Sequence, residues 1–583
     1  MLLAKILTHL FKEVFVKHPF WRAYGLFLLL GGFTQFLLWL FGAASPEGIK
    51  DAVFVSTLWL IPLWWQPHRL RQWSAVIALL IGVLALPGFA YFLVYRQEFT
   101  QSLMMILFES NQSESQEYLR NYFTWWILLA ILAFIIIPVL YWRTLKPAQL
   151  SKPRAAIYSL LALALVFTSP VKYMARDQWA TASKSIDRHL GGIPPFQLAL
   201  GYLNYERQLE EVNRTLLTMN QVPSLSQLTE QAKPGPTTVV LVIGESTSRL
   251  HMSLYGYSRD TNPELSKIRQ ELTLFDNVYA PRPYTIESLQ QVLTFADQQH
   301  PDAYKTQPSL VAMMKQAGYH VTWITNQQTL TGRNTMLTTF AKQADKQYFL
   351  NNERRQNAYS FDEKVLPPFA ETLSDPHPKK LIIVHLLGTH MKYSYRYPEN
   401  FDVFKTAEGL PVKGLDEAKS ALVNSYDNAI RYNDWVMSQL IAALKAKQQH
   451  SLLVYFSDHG EDVYDTPPHN FQGRNEAAPT LPMYSIPFMV WHSANWFNAQ
   501  TLLANVDTHR QYDNADLIYT LADLMGLSFD GFQPGESLVN ARFTPDNILV
   551  GDPYLRKLQM LPGTTRFPDN ELAAWNTGSV KAD

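Results

Sequence analysis

The 583-residue chain contains no cysteine. This excludes disulfides, iron–sulfur clusters and thiolate zinc sites, and leaves His, Asp, Glu and hydroxyl groups as the available metal ligands. It carries no surplus of charge either. Its 50 Lys and Arg balance 50 Asp and Glu, and a pI near 7.3 gives no electrostatic reason to expect a nucleic-acid partner. Neither an internal repeat nor a low-complexity tract is present. Charge is also missing locally: within the first 172 residues, five runs at roughly 23–46, 52–67, 73–95, 121–142 and 155–171 have no charged side chain. Runs of that length suit a hydrocarbon core about 30 Å thick, so residues 1–172 read as a transmembrane domain with five spans.

Orientation follows from the cations between the runs. Lys5, Lys12, Lys17 and Arg22 precede the first, Arg69 and Arg71 lie between the second and third, and Arg143, Lys146, Lys152 and Arg154 separate the fourth from the fifth. These segments are expected on the cytoplasmic side, which puts everything after Lys172 outside the cytoplasm. The first run starts too late and is too long for a signal-peptide core, so it reads as an anchor. Ahead of it, Leu3, Ile6, Leu7, Leu10, Phe11, Val14 and Phe15 recur at helical spacing, as in a helix lying in the membrane interface or packed on the bundle.

Residues 173–235 turn polar, are broken by Gly191-Gly192-Ile193-Pro194-Pro195, and read as connecting helices, one of them at Gln208 to Met219. From 236 to 583 short β-branched runs alternate with helical stretches. Strands are expected at 238–243, 320–325, 380–386, 451–456, 486–491 and 547–550, and helices at 262–270, 286–295, 308–317, 417–446 and 514–526. That alternation predicts an α/β domain with a mostly parallel central sheet.

Two of these strands run into acidic motifs. The strand Val239 to Ile243 leads into Gly244-Glu245-Ser246, and Leu452 to Phe456 leads into Ser457-Asp458-His459-Gly460-Glu461. The carboxyl edge of an open α/β sheet is where ligands bind, so the two motifs can meet on one metal ion. An oxygen and nitrogen donor set without sulfur fits zinc and, less well, manganese. Glu245 by itself also reads as an acid near a helix start, and an isolated Asp-His pair as surface residues. Glu461 is in reach of a second ion or of His459 as an outer acceptor.

His385 and His390 lie at the end of the third strand, and His469 in the Pro-rich loop after the Asp-His pair. Histidines at that edge suit phosphate binding, proton transfer or a second metal, while His385, one residue inside its strand, reads equally as a core imidazole. Hydroxyl nucleophiles are offered by Ser246, Thr247, Ser248 and Thr285. Thr285 opens a helix whose free N–H groups favour a phosphoryl charge, although an ordinary helix cap has the same local sequence.

Taken in order, these residues resemble the membrane-anchored phosphoethanolamine transferases of the alkaline phosphatase and sulfatase superfamily. The likeness spans nearly the whole chain. It rests on Gly244-Glu245-Ser246 with Ser253-Leu254-Tyr255-Gly256-Tyr257, on Thr285, on Gly388-Thr389-His390 with Tyr395-Arg396-Tyr397-Pro398, on Asn424 to Asn428, and on Ser457 to Glu461 followed by His469. The resemblance implies one zinc ion on Glu245, Thr285, Asp458 and His459. It also implies Thr285 as nucleophile, and His390 and His469 as contacts to phosphate, acceptor or a second zinc. It further implies that Asn326 and Glu461 bind substrate, and that phosphoethanolamine passes from phosphatidylethanolamine through Thr285 to lipopolysaccharide at the periplasmic face of the bacterial inner membrane.

Many lipid A-modifying members of that family carry disulfides, which this chain cannot form. Its Ser253 to Tyr257 motif is more similar to members that modify a core heptose, so heptose is the expected acceptor, with lipid A or a periplasmic glucan as alternatives. Competing readings are a metal-dependent phosphodiesterase on the same fold, a glycerophosphate polymerase and a non-catalytic membrane scaffold. A sulfatase is disfavoured, because its nucleophile usually matures from cysteine.

Overall fold

The computed structural model describes residues 18–95 apart from 42, 43 and 45, then 124–176, scattered residues between 182 and 210, and 222–567 apart from 232–234, 329–339, 352–359 and 555–557. The expected interfacial helix before residue 18 lies outside the described residues, as does most of the one at 208–219. The chain divides into two compact units, Met1–Glu210 and Glu211–Asp583, which places the boundary inside the segment expected to connect two domains.

In the first unit four helices, α1 (Pro19–Leu40), α2 (Leu70–Tyr95), α3 (Trp125–Arg143) and α4 (Lys152–Met174), match four of the five apolar runs. Among the described residues, four helices are long and apolar enough to cross a membrane. They leave large apolar side chains such as Leu79, Leu129, Ile137 and Leu160 exposed, a surface that suits lipid rather than water. The run at 52–67 differs from the expectation of one span. It is split into Glu47–Val55, a 3₁₀ turn Leu58–Leu60 and Ile61–Trp65. The break has a local cause. Thr57 Oγ1 bonds back to the Phe54 carbonyl at 2.6 Å, and Pro62, which has no N–H to donate, begins the next turn.

The second unit is built on a seven-stranded sheet: β1 (Thr237–Gly244), β2 (Leu272–Phe275), β3 (His320–Gln328), β4 (Lys346–Asn351), β5 (Lys379–His385), β6 (His450–Ser457) and β7 (Phe488–His492). The spatial order is β2-β7-β6-β1-β5-β3-β4. From β6 through β4 neighbouring strands are parallel, while β7 runs antiparallel to both β6 and β2. Alternation along β1 divides the core. Val239, Leu241 and Ile243 pack toward α5 (Thr285–Val292), α6 (Leu310–Gln316) and later α9 (Leu517–Met525), whereas Val240 and Val242 face α7 (Leu366–Leu373) and α8 (Glu417–Lys447).

The long helix α8 follows from its ends. Asp416 accepts the Lys419 N–H at 2.8 Å as N-cap, Glu417 occupies the first turn, and Lys445 and Lys447 the last. Three expected elements differ. The helix at 262–270 is a single turn, Pro263–Ser266, followed by a 3₁₀ turn. The helix at 514–526 starts as 3₁₀, and the strand at 547–550 shrinks to Leu549–Val550, paired with Gln559–Met560 away from the main sheet.

Candidate active site at the carboxyl edge of the sheet

The central parallel pair positions the site. β1 and β6 are in register through Gly244 and Ser457, so Glu245 and Asp458 leave the sheet side by side. Backbone contacts then hold them there. The Asp458 N–H donates to the Gly244 carbonyl at 3.0 Å, and the Ser246 N–H donates to Asp458 Oδ1 at 3.0 Å. The neighbouring turn after β5 needs Gly388. Its φ is +55°, and a Cβ there would lie 2.7 Å from the backbone N and O of Glu245.

Glu245, Asp458 and His459 are fully buried, and their ligand atoms lie within 4.8 Å of one another. Thr285, the first residue of α5, adds a fourth group. Its hydroxyl donates to Glu245 Oε2 at 3.1 Å and lies 3.3 Å from Nε2 of His459. Ser288, one turn further on, donates to the Asp458 carbonyl at 2.5 Å and pins the helix against the strand end.

The donor chemistry fits a divalent cation. Nδ1 of His459 donates to the Gly460 carbonyl at 2.9 Å, which leaves Nε2 to face the carboxylates with its lone pair. Nε2 is 3.4 Å from Glu245 Oε1 and 3.3 Å from Asp458 Oδ2. Oδ2 is buried and has no hydrogen-bond partner among the described residues. Burial and the adjacent Glu245 charge push the Asp458 carboxyl well above its ordinary range, as expected of two carboxylates held close together in a buried place. Burial and the Arg474 charge push His459 down, which favours the neutral imidazole. Three oxygens and one imidazole nitrogen, without sulfur, are a zinc-type set.

A second group of potential ligands, His320, Asp375 and His377, lies at the opposite edge of the sheet. There the two imidazoles stack 3.9 Å apart at an interplanar angle of 4°, which sets their in-plane lone pairs parallel rather than toward one ion.

The histidines divide. His390 follows Gly388-Thr389, donates from Nδ1 to the Met391 carbonyl at 2.7 Å, and is pushed down to about 4 by burial. It interacts electrostatically with Glu245. His469, at φ +61°, bonds through Nδ1 to the Tyr464 carbonyl at 2.8 Å. His385 is a core residue: it is buried beneath Trp323, with no partner on Nε2 and its pKa pushed down to about 4 by burial.

Glu461 is buried beside Tyr393, Tyr426 and Arg474. Asn326 is turned away from the site. Its amide donates to Asp362 Oδ1 at 2.9 Å and accepts from Ser360 at 2.9 Å. The side chain that reaches this cluster from β3 is the next one, Gln327, which donates to Glu245 Oε2 at 3.1 Å and to the Leu386 carbonyl at 2.8 Å. Arg474 also enters the site, with Nη1 2.6 Å from Nε2 of His459. Neither Gln327 nor Arg474 stands out in the sequence. Each is a polar residue without periodicity, and only its neighbours, Asn326 and the His469 loop, drew attention.

Residues 237–527 match the Sulfatase family model. The chain is 45% identical over 553 residues to phosphoethanolamine transferase EptC of Escherichia coli K12, covering 93% of this chain and 96% of that protein. Among solved structures, the zinc complex of the C-terminal periplasmic domain of the Escherichia coli EptC is 52% identical. It covers 59% of this chain and 98% of the domain, at a TM-score of 0.57. The integral membrane phosphoethanolamine transferase EptA of Neisseria meningitidis shares the fold over 90% of this chain and 98% of its own at a TM-score of 0.60, with 20% identity.

Proposed function

The chain belongs to the phosphoethanolamine transferase family, and from that premise we propose that it moves phosphoethanolamine from phosphatidylethanolamine to lipopolysaccharide through a covalent intermediate on Thr285. The observation that carries this reading is the place of the Thr285 hydroxyl, 3.1 Å from Glu245 and 3.3 Å from His459 in the first turn of α5.

Glu245, Thr285, Asp458 and His459 would hold one zinc ion, which when bound lowers the pKa of a hydroxyl and balances phosphoryl charge. The side chains supply the rest. In the first half-reaction Thr285 Oγ1 bonds to phosphorus, its proton passes to Glu245, the acceptor of its hydrogen bond, and the P–O bond to diacylglycerol breaks. The departing diacylglycerol oxygen takes up that proton, because, against its burial, the neighbouring His459 holds the Glu245 carboxyl well below its ordinary range, so Glu245 does not keep it. In the second half-reaction an acceptor hydroxyl attacks the same phosphorus, the bond from phosphorus to Thr285 Oγ1 breaks, and the acceptor's proton passes by way of the base to the departing Thr285 oxygen. His390 suits the general base, because burial keeps it neutral and Nδ1 is committed to Met391, so Nε2 is the nitrogen that takes the acceptor's proton.

The positive segments at Arg69, Arg71, Arg143, Lys146, Lys152 and Arg154 support a cytoplasmic side opposite the enzymatic unit, and so a periplasmic site on an inner-membrane anchor. That topology counts the broken segment Glu47–Trp65 as one crossing along with the four long helices. The Ser253 to Tyr257 motif supports a core heptose over lipid A or a glucan as acceptor.

The test is incubation of the full-length, zinc-loaded protein with head-group-labelled phosphatidylethanolamine, then mass spectrometry of the peptide containing Thr285. A phosphoethanolamine adduct on Thr285 is expected. Transfer without any adduct, under quenched single-turnover conditions, would refute the intermediate. Mass analysis of lipopolysaccharide from cells with and without the gene identifies the acceptor.

A further inference from the structure

Two arginines come from the segments that flank the site, and they are used differently. Arg282 is spent inside the protein, with Nε and Nη2 on the two carboxylate oxygens of Glu476 at 2.5 and 3.0 Å. Among the described residues Arg474 makes no such two-point pair. Its Nη1 is 2.6 Å from Nε2 of His459 and 3.9 Å from Glu245 Oε1, both of them members of the metal donor set, and its side chain keeps 18% exposure.

Nε2 of His459 has one lone pair, because Nδ1 carries the proton given to Gly460. A metal ion and the Arg474 guanidinium cannot both use it. Once a cation takes the lone pair, the guanidinium is left in the pocket with its donors unspent. It is held near by the charges of Glu461, Glu245 and Asp458, and it is anchored two residues before Glu476, which Arg282 fixes in place. A planar guanidinium matches the two non-bridging oxygens of a phosphodiester better than any other side chain does.

We propose that Arg474 is the anion-binding residue of this site, receiving the non-bridging oxygens of the donor phosphodiester and then those of the phosphoryl group on Thr285. This deepens the transferase reading and rests on it.

The test uses full-length protein, zinc-loaded and with its metal content measured, as wild type, Arg474→Gln and Arg474→Lys. Phosphoethanolamine serves as the soluble probe in calorimetric titration, KM is measured for phosphatidylethanolamine, and zinc affinity is measured by competition with a chromophoric chelator. The glutamine variant is expected to bind phosphoethanolamine at least about tenfold more weakly, with KM rising in parallel and zinc held as tightly as in wild type or more tightly, since a competitor for Nε2 is gone. The lysine variant, which keeps the charge and loses the fork, is expected to fall between the two. Phosphoethanolamine affinity within twofold of wild type in both variants would overturn the assignment. So would weakened zinc binding in both, which would make Arg474 a prop for the ligands. Because the probe measures binding alone, failure of the wild type to transfer phosphoethanolamine would count against the transferase reading without deciding the role of Arg474.

Discussion

Arg282 and Glu476 form a buried two-point ion pair that joins the segment leading into Thr285 to the loop that carries Arg474. Both side chains are 4% exposed, so neither charge has water to fall back on. Removing one partner strands the other, and in buried pairs this costs about 3–5 kcal/mol. Glu476→Gln is therefore expected to lower the thermal midpoint of the full-length protein clearly. It should also reduce kcat by about a hundredfold, because a shift of about 1 Å in a nucleophile is enough for that. Arg282→Met with Glu476→Leu, which removes both charges, should recover much of the stability and little of the activity. A double variant as unstable as the single one would show that the pair acts through something other than its charges.

Replacing the nucleophile separates metal binding from chemistry. Thr285→Ala is expected to abolish the adduct and cut transfer by about three orders of magnitude or more. Zinc should still bind through Glu245, Asp458 and His459, whose ligand atoms lie within 4.8 Å of one another, though more weakly than with four groups. Thr285→Ser keeps an oxygen at the same place and should retain measurable transfer. Metal analysis of both variants alongside the assay checks the two halves.

The carboxylates make a crossing prediction. Without metal, Asp458 is forced against Glu245, and burial together with that neighbour raises its pKa. Its folded pKa lies above its unfolded one, so the Asp458 carboxyl contributes destabilisation that sets in as pH rises above its unfolded value, while Glu245, held below its ordinary range, contributes in the opposite sense. Asp458→Asn removes the repulsion. It is expected to be more stable than wild type after chelation and less stable than wild type in zinc, because binding stabilises only the form that holds the ion. Melting curves of both proteins with and without zinc should cross. Parallel shifts would mean that Asp458 is not a ligand.

Much of this site was legible in the sequence because it hangs from continuous apolar strands. Val239 to Ile243 and Leu452 to Phe456 announce buried parallel strands, and the acids directly after them can only emerge at one edge. The edge strands were not legible. Leu272–Phe275 is four residues long, and Lys346–Asn351 is half-buried through most of its length, its three apolar residues Tyr348, Phe349 and Leu350 set between polar ends without alternation. The span at 52–67 looked continuous by composition, and its break depends on Thr57 and Pro62 acting together. Arg474 and Gln327 act through tertiary approach alone, for which no local pattern exists.

A buried imidazole behind the site should govern the alkaline limit of stability. Nδ1 of His251 is 2.8 Å from Asp427 and Nε2 is 3.0 Å from Asp465, on the loop that also carries His469. Burial opposes its charge, but the two carboxylates win and raise its pKa to about 10. Tyr257 and Arg259 face the same Asp427, at 3.0 and 2.9 Å. With the folded pKa above the unfolded one, about 6.5, the stabilisation is complete below about 6.5 and is lost as pH rises through about 10. Wild type is expected to lose stability between pH 7 and 10 by more than His251→Gln, whose starting stability is lower. Equal slopes for the two proteins over that window would mean that His251 is not charged.

Asn326 and Gln327 offer a last separation, between holding the site and touching the substrate. Asn326 supports Asp362, which in turn accepts the N–H groups of Leu387 and Gly388 at 2.8 and 2.9 Å and so shapes the turn before His390. Gln327 bonds directly to Glu245. Asn326→Ala leaves Asp362 short of a donor in a buried place, at a cost of about 1–3 kcal/mol. It is expected to lower the thermal midpoint and kcat together while KM for phosphatidylethanolamine stays within about twofold of wild type. Gln327→Ala should leave the thermal midpoint nearly unchanged and weaken zinc binding severalfold, because a ligand's hydrogen-bond partner tunes its orientation. A large rise in KM for Asn326→Ala at unchanged stability would reverse the assignment and make Asn326 a substrate contact, as the resemblance to the family implied.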